Sequence, residues 1–552
     1  MKNVKLIILI FFSLLLIIVS CQKDEPSKPQ RIVFGISADI KTINPLYAFS
    51  VDEGSINDLL FLSLVKVKWN EHEGDIYTEP FLAESWQWST DSTSVTFYLR
   101  KDVKWSDGEQ LTANDVEYSY ALYSNPEVQS KFYGSFEKLY LNEDFSIDME
   151  KTIEVIDSFT IKINFIPGKN IKLVDVVLPI IPRHVFNEYQ YNEIPTSEVN
   201  FNPVTCGAYK LKKWERNQMI VLEADTTSFL YSNDIIPELV FKVIPDYNSR
   251  LTQLKKGEID FAEQLKPDDV EELKNTGNII IVPVSGREYD FVGWNHIDPE
   301  IFSSTGNFED NKFFASSNVR KALSYAINRE EILKTFLNNF GQPAVTPVSE
   351  IFVRYFDNEL KPINYDPRIA RELLISEGWI DNNKNGIVDK NGIEFSFTLY
   401  IPGGNPIRQY ASTIIKNNLR AVGIEVKLET IELNKLIDNL FNKNMDAWIA
   451  AYYIQIPLEH KMIWSSDLDA APFNFMSYRN RELDEIIEKL DHFNSPEQDS
   501  ILQKAFQKII YKDQPVTFLY WIDNIVAINS KVKSFEINPL GAIQHVWDWK
   551  LN

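Results

Sequence analysis

The loop from Asp381 to Gly392 carries side chains of the kind that bind a metal ion. Oxygen-bearing side chains occupy positions one, three, five and nine of a 12-residue calcium loop, namely Asp381, Asn383, Asn385 and Asp389. The twelfth position, which would supply a bidentate glutamate, is Gly392, and Glu394 comes two residues late. The loop is therefore either a weak structural Ca²⁺ site or a plain turn of Asn, Asp and Gly. No other cofactor is expected.

The histidines and nucleophiles of the chain form no catalytic pattern that we recognise. The histidines are scattered, at His72, His184, His296, His460, His492 and His545. None of them has the spacing of a zinc protease, and we find no nucleophile elbow, phosphate loop or dinucleotide fingerprint. Carboxylates are so numerous that a catalytic pair of the glycosidase kind stays open. We therefore predict a protein that is not an enzyme, with a hydrolase as the weaker alternative.

Cys21 ends the most apolar stretch of the chain. Two lysines precede the apolar run Leu6–Val19, which is shorter than the roughly 20 residues of a membrane-spanning helix. This arrangement is typical of a secretory signal. In addition, Ile18–Cys21 resembles the lipobox of bacterial lipoproteins, which implies a signal peptide over residues 1–20, a lipid on Cys21 and a flexible tether over residues 21–30. The alternative is a plain signal peptide with an incidental cysteine.

The charge and the cysteine content of the chain limit its possible partners and its means of stabilisation. The formal charge of −22 over 552 residues argues against nucleic acid or anionic lipid as a partner, and the length predicts two or three domains. With a lipidated Cys21, only Cys206 remains, so no disulfide within the chain is possible. The fold must then be held by its core, in which we expect a buried, unreactive Cys206.

Helices and strands are both predicted from the spacing of apolar residues. The predictions are a strand over Ser94–Arg100 and helices over Thr112–Tyr123, Asn318–Leu337 (one helix interrupted near Asn328, or two), Asp366–Trp379 and Arg481–Phe493. This mixture indicates an α/β or α+β protein.

Eight segments, in order along the chain, resemble bacterial family 5 extracellular solute-binding proteins. These are the oligopeptide-, dipeptide- and nickel-binding components of ABC importers. The longest segment is Glu79–Leu122. The others are Ile43–Ser50, Leu178–Phe186, Cys206–Asp225, Leu254–Ala262, Asn318–Ile332, Tyr365–Trp379 and Leu419–Leu428. Eight blocks in the family order indicate the family far more specifically than any single block does.

The resemblance implies an α/β, periplasmic-binding-protein-like fold of class II type, similar to cluster C, with two lobes around a hinge and an extra inserted domain. The implied parts are lobe I from residues 31–62, 197–288 and 525–552, the inserted domain from residues 63–196, and lobe III from residues 289–524. A ligand would lie in the cleft between the lobes and be buried when they close.

One segment departs from the family. In the oligopeptide-binding relatives, an acidic residue soon after an aromatic one holds the ammonium of the peptide. Matching Asp446 to the family aspartate puts Tyr452 at the aromatic position and Gln455 at the acidic one. Glutamine offers no charge, and a buried cation without an opposite charge is costly. Either Glu459 takes over the role, or the ligand has no free amine there, or the alignment is off by a few residues.

The resemblance implies four further ligand-binding candidates. Phe49 and Val51 follow the block "INPLY", a loop that pairs with an extended ligand as an added strand would. Tyr453 is part of the aromatic cluster around Tyr452, which is alternatively core. Asn295 stands where relatives carry an Asn, and its role is either structural or ligand-binding.

The sequence thus predicts a lipid-anchored substrate-binding protein of an ABC importer that captures peptide-like ligands. We expect a monomer in the cell envelope that contacts an ABC permease and is held on the membrane by its lipid. The location is the periplasmic side of a membrane or the outer-membrane surface, since "QKDE" after Cys21 resembles the surface-export signals of some Bacteroidetes lipoproteins. The alternative is a surface interaction or scavenging lipoprotein that binds an oligosaccharide or a metal chelate.

Overall fold

The computed structural model describes residues 30–492 and 494–552. The predicted signal peptide, the lipid anchor Cys21 and all but the last residue of the tether lie outside this range. Within the described residues, no helix combines the length and the apolar character needed to cross a bilayer.

Strands and helices both occur along the whole described chain. The strands are β1 Arg31–Ile36, β2 Val65–Asn70, β3 Asp75–Pro80, β4 Ala83–Trp88, β5 Ser94–Leu99, β6 Ile153–Asp157, β7 Thr160–Asn164, β8 Tyr209–Glu215, β9 Met219–Ala224, β10 Glu238–Val243, β11 Phe261–Ala262, β12 Ile279–Trp294, β13 Gly341–Pro343, β14 Asp389–Lys390, β15 Ile393–Glu394, β16 Ser396–Pro402, β17 Glu425–Ile431, β18 Ala447–Tyr453, β19 Val516–Asn529, β20 Val532–Ser534 and β21 Lys550–Leu551. The α-helices are Val51–Leu60, Ala113–Ser124, Met149–Thr152, Arg183–Phe186, Tyr247–Lys256, Val270–Lys274, Pro299–Thr305, Ser317–Ala326, Arg329–Phe336, Pro367–Ser376, Pro406–Arg420, Leu433–Phe441, Lys461–Trp464, Arg481–Leu490 and Pro496–Asp513.

One mixed sheet runs through the molecule, in the order β17-β16-β18-β12-β19-β11-β1-β10-β9-β8, with β13 paired to β19. The long strands β12 and β19 lie at its centre and belong to both halves. A separate four-stranded sheet, β4-β5-β7-β6, and the hairpin β2-β3 come from residues 65–164.

The buried apolar residues form separate clusters on the two sides of β12 and β19. One pair of clusters draws on residues 32–284 and 525–551, with the addition of Phe340. The other pair draws on residues 289–522, with the addition of Leu540 and of Trp69 and Ile76 from the hairpin β2-β3. Each side of the two long strands therefore has a core of its own.

The periodicity predictions are confirmed in type and differ at the ends. Ser94–Leu99 is a strand and Ala113–Ser124 a helix, preceded by the capping box of Thr112. The segment Asn318–Leu337 forms two helices, because the side chain of Asn328 caps the second. Two predicted helices end early, at Ser376 and Leu490.

Candidate ligand-binding site

The pairing of β12 with β19 is interrupted at one point. The register runs from Ile279–Asn529 to Val284–Asn524 and resumes at Glu288–Ile522. Gly286 lies in the break with φ +83°, and a Cβ there would lie 2.2 Å from the Ser349 Oγ. The extra residues turn Arg287 and Glu288 toward a depression beside the sheet.

That depression is a cavity of about 640 Å³, which we call the cleft. Its walls come from segments that are distant in sequence. They are the helix Val51–Leu60, residues 263–267, the register break with residues 522–525, the loop 538–544, and Tyr453 at the end of β18. The volume is in the range of small-molecule and peptide sites.

Carboxylates dominate the charge of the cleft. Asp58, Glu263, Glu288 and Asp523 line it. Burial raises the pKa of Asp58 to about 6, and it also raises the pKa of Glu263, Glu288 and Asp523. Next to them, burial and the nearby Glu263 raise the pKa of Asp52 to about 6. Negative charge in the cleft is thus only partly neutralised by the protein.

The two cations that line the cleft contact carbonyl groups and aromatic rings. Arg287 donates to the carbonyl of Ile454 over 2.8 Å and to that of Pro539, and its guanidinium lies 4.4 Å from the ring centre of Tyr453. The ammonium of Lys266 lies 4.5 Å from the ring of Tyr247. Neither cation forms an ion pair with a carboxylate among the described residues.

Behind the cleft wall, Asp290 is fully buried and paired with Arg408. The Asp290 Oδ1 accepts from the Arg408 Nη2 at 2.7 Å, and Glu288 lies 3.4 Å from the same nitrogen. Burial raises the pKa of Asp290, and the Arg408 guanidinium opposes this shift. The pair fixes the strand β12 against the helix Pro406–Arg420 and orients Glu288 at the surface of the cleft.

The structure brings two of the predicted ligand residues, Val51 and Tyr453, to the cleft. Val51 is 70% exposed and Tyr453 60% exposed, so both offer free apolar surface. Phe49 is also exposed, and its backbone N–H donates to the Glu53 carboxylate over 2.9 Å.

Tyr452 points to the other face of β18 and is largely packed. Its ring stacks on Phe291 at 4.7 Å, and its hydroxyl donates to the Phe473 carbonyl over 2.6 Å. Asn295 is fully buried and donates to the carbonyls of Lys443 and Met445. Its contacts correspond to the structural alternative of the sequence analysis.

Gln455 and Glu459 line a different cavity, of about 580 Å³, which we call the crevice. It lies between residues 134–175 and residues 455–503. The Glu459 carboxylate accepts from the backbone N–H groups of Lys461 and Met462 at 2.5 and 3.3 Å. Much of its hydrogen-bonding capacity is therefore used by the protein.

The loop 381–392 is closed by its own hydrogen bonds. The Asp381 carboxylate accepts from the backbone N–H groups of Asn385 and Gly386, and Asp389 accepts from Asn382. Asn385 donates through its Nδ2 to Glu394 at 2.6 Å. No group of three His, Cys, Asp or Glu side chains suited to a metal ion occurs in residues 30–492 and 494–552. The Ca²⁺ proposal for Asp381, Asn383, Asn385 and Asp389 thus gains no support.

Sequence reasoning missed Asp58, Glu263, Arg287 and the loop 538–544, all of which line the cleft. They come from separate parts of the chain and are brought together only by the sheet order. Asp58 and Glu263 also occur in an acidic chain with many similar residues. No local pattern marks them.

Known proteins are similar to this chain over almost its whole length. The family model described as "Bacterial extracellular solute-binding proteins, family 5 Middle" matches residues 78–471. The oligopeptide-binding protein AppA of Bacillus subtilis is 26% identical over 540 residues, covering 96% of this chain and 94% of the relative.

Solved structures give the same result. The structure of Bacillus subtilis AppA in complex with a nonapeptide is 26% identical, has a TM-score of 0.73, and covers 95% of this chain and 100% of its own. NikZ from Campylobacter jejuni in complex with Ni(L-His) is 25% identical, with a TM-score of 0.72 and the same coverage. The predicted periplasmic-binding-protein-like α/β fold is confirmed.

Proposed function

Since the chain belongs to the bacterial extracellular solute-binding proteins of family 5, we propose that it is the substrate-binding component of an ABC importer, with peptide-like cargo bound in the cleft. The cleft itself carries this proposal. It lies beside the strands that join two separate cores, and it offers the free apolar surface of Val51 and Tyr453. Such a site suits a flexible ligand with apolar side chains and polar ends. The relative AppA of Bacillus subtilis is an oligopeptide-binding protein, and its structure was solved in complex with a nonapeptide.

Capture would occur by closure of lobe I, from residues 31–62, 197–288 and 525–552, onto lobe III, from residues 289–524. The inserted domain, residues 63–196, would move with lobe I. The proposal is supported by the separate cores and by the register break between Val284 and Glu288, which coincides with the expected hinge. Few residues need to change conformation in a hinge of this kind.

The test is the identity of the small molecules that stay bound when the protein is purified. We expect mass spectrometry of the denatured protein to release a pool of short peptides. Added peptides should raise the melting temperature, because a ligand that binds only the native state stabilises it by mass action. If neither purified nor added peptides bind, the cargo is of another class.

A metal chelate is the second candidate cargo, because NikZ, a structural relative at 25% identity, was solved with Ni(L-His). The carboxylates of the cleft are compatible with a cationic or mixed-charge complex. Adding Ni²⁺ with and without free histidine to the purified protein separates the candidates. A rise in melting temperature only with the chelate would favour this alternative over peptides.

The lipid anchor on Cys21 is a further part of the proposal, and it rests on the sequence around that residue. The chain would be held at the cell envelope, on the periplasmic side of a membrane or at the outer surface, next to its permease. Replacing Cys21 with Ser should release the protein from membranes or stall its processing. Unchanged membrane partition, with no lipid adduct on Cys21, would contradict the anchor.

A further inference from the structure

The crevice and the cleft are lined by neighbouring residues of the chain. Tyr453 lines the cleft and Gln455 lines the crevice, and both are exposed while Ile454 between them is buried. A second, smaller cavity of about 310 Å³ adjoins the crevice, and Lys172 and Asp499 line both. The cleft and the crevice thus approach each other within two residues of the chain, at Tyr453 and Gln455.

Asp499 is a buried acceptor that the protein leaves incomplete. Its side chain is 9% exposed, and its Oδ1 has no hydrogen-bond partner among the described residues. Its Oδ2 lies 3.5 Å from the Lys172 ammonium, which is longer than a normal hydrogen bond. The torsion that rotates a carboxylate is broad, so either oxygen can turn to the crevice. A buried acceptor without a donor costs free energy, which a ligand donor would recover.

Asp499 is close to the N-terminus of a helix. It lies in the first turn of the 18-residue helix Pro496–Asp513, where the helix dipole favours a negative charge. The bound group is thus expected to be a donor, and a cationic donor before a neutral one.

The remaining charges around the crevice also favour a cationic group. Lysines of residues 138–172 pair with carboxylates across or within it, in the pairs Lys138–Asp175 at 2.9 Å, Lys169–Asp491 at 2.7 Å and Lys172–Asp499 at 3.5 Å. Beyond these pairs, the lining adds the carboxylates Glu137 and Glu459 and one ammonium, that of Lys461. Burial, and to a lesser degree Glu137, raises the pKa of Glu459. The crevice is therefore a region of slight negative charge.

We propose that the crevice holds the amine end of the cargo, with the Asp499 carboxylate as its acceptor. The inference rests on the proposed function and adds which end of the cargo enters the crevice and which residue fixes it. Gln455, at the acidic position of the oligopeptide-binding relatives, supplies no charge, and Glu459 is occupied by backbone N–H groups. Asp499 supplies the missing charge from another helix.

The experiment measures the preference for a free amine. The full chain, purified in detergent, is incubated with a mixed-sequence pentapeptide pool made of equal parts free and N-acetylated peptides. Native mass spectrometry then gives the ratio of the two forms bound. We expect the native protein to enrich the free amine at least tenfold, and Asp499→Asn to bring the ratio close to one.

Lys172→Met is the matched control. It removes the same ion pair but leaves the acceptor, and it removes an ammonium that competes with the ligand, so the preference for the free amine should rise. If Asp499 acted only through that pair, the two variants would behave alike. Melting curves of both variants check that the fold is intact.

A ratio near one in the native protein, or enrichment that persists in Asp499→Asn, would overturn the inference while leaving peptide capture in place. Retention of neither form would instead overturn the proposed function, and the subsite with it.

Discussion

At the scale of single residues, Asp58 has an unfavourable charge that the ligand-free protein must carry. Burial in the cleft raises its pKa from 3.8 to about 6. Between these two values the folded state holds a proton that the unfolded state has released, so stability falls as the pH rises through this window. Above pH 6 the charged carboxylate lowers the free energy of unfolding by its full amount.

Asp58→Asn should therefore stabilise the ligand-free protein at pH 7.5, by about 1 kcal/mol once the shift is reduced for solvent screening. Near pH 4 the variant and the parent should melt together. Asp91→Asn is the control with the opposite sign, since hydrogen bonds from Ser89 and Thr93 lower the pKa of Asp91. If the Asp58 variant has a lower melting temperature than the parent at pH 7.5, the charged carboxylate stabilises the folded protein.

The pair of Arg408 with Asp290 should behave differently, because its carboxylate is fully buried. Arg408→Met leaves that charge without a partner, which typically costs 3–5 kcal/mol. Arg420→Met removes an exposed pair with Glu425 and should cost less than about 1 kcal/mol. Thermal melting of both variants gives the comparison. Adding Asp290→Asn to the first variant should recover much of the loss, and failure to do so would place the defect in packing.

These residues show what the sequence could reveal about the site. Tyr453 and Val51 were found because they belong to segments that resemble the family. Asp58, Glu263 and Asp499 were not found, because their importance lies in what they face. The sequence pattern of a helix is the same whether the carboxylate of an aspartate points to solvent or into a cavity. Only the tertiary arrangement determines which of the two it faces.

At the scale of elements, the hairpin β2-β3 is the main contact between the inserted segment and residues 351–355. Gly74, at its tip, has φ +61°, and a Cβ there would lie 2.1 Å from the Ile351 carbonyl oxygen and the Val353 nitrogen. Beside it, the Arg354 N–H donates to the Glu73 carbonyl over 2.9 Å. Trp69 packs edge-on against Phe352 at 5.9 Å. The close approach requires glycine.

Gly74→Ala should thus separate the hairpin tip from residues 351–355 without unfolding either part. Hydrogen exchange of the Arg354 amide should become faster. Gly108→Ala is the matched control, since Gly108 also has positive φ, +98°, but its Cβ would meet nothing within 4 Å. Equal effects of the two substitutions would mean that backbone strain, and not the lost contact, is responsible.

The elements themselves were largely predictable, and their ends less so. Alternation marked Ser94–Leu99 and helical spacing marked Ala113–Ser124, since burial on one face leaves a periodic trace. The interruption at Asn328 was visible because a cap residue begins the second helix there. The hairpin β2-β3 was not predicted, although Val65–Asn70 alternates apolar and polar residues. Its docking on a distant part of the chain leaves no trace in local periodicity.

At the scale of the molecule, the hairpin β2-β3 of the inserted segment, residues 63–196, is bound to residues 354–355 by ion pairs and a hydrogen bond. Arg354 forms ion pairs with Glu73 at 2.7 Å and Asp75 at 3.4 Å, and the Tyr355 hydroxyl donates to Asp75 at 2.6 Å. If the inserted segment moves with lobe I, these bonds form only when the lobes approach. They would then favour the closed form even without ligand.

Arg354→Met should shift that balance toward the open form. The ion pairs are partly exposed, so their joint loss should cost about 1 kcal/mol. Apparent affinity for cargo is reduced by the lost population of the competent state, which at this cost is a factor of at most about five. Small-angle scattering of the ligand-free variant should show a larger radius of gyration, and saturating peptide should restore the radius of the parent. Arg100→Met, which removes the pair with Asp102 within the inserted segment, should leave the radius and the affinity unchanged. If Arg354→Met also changes neither, the hairpin does not take part in closure, and the hinge at the register break would have to be governed by the cleft alone.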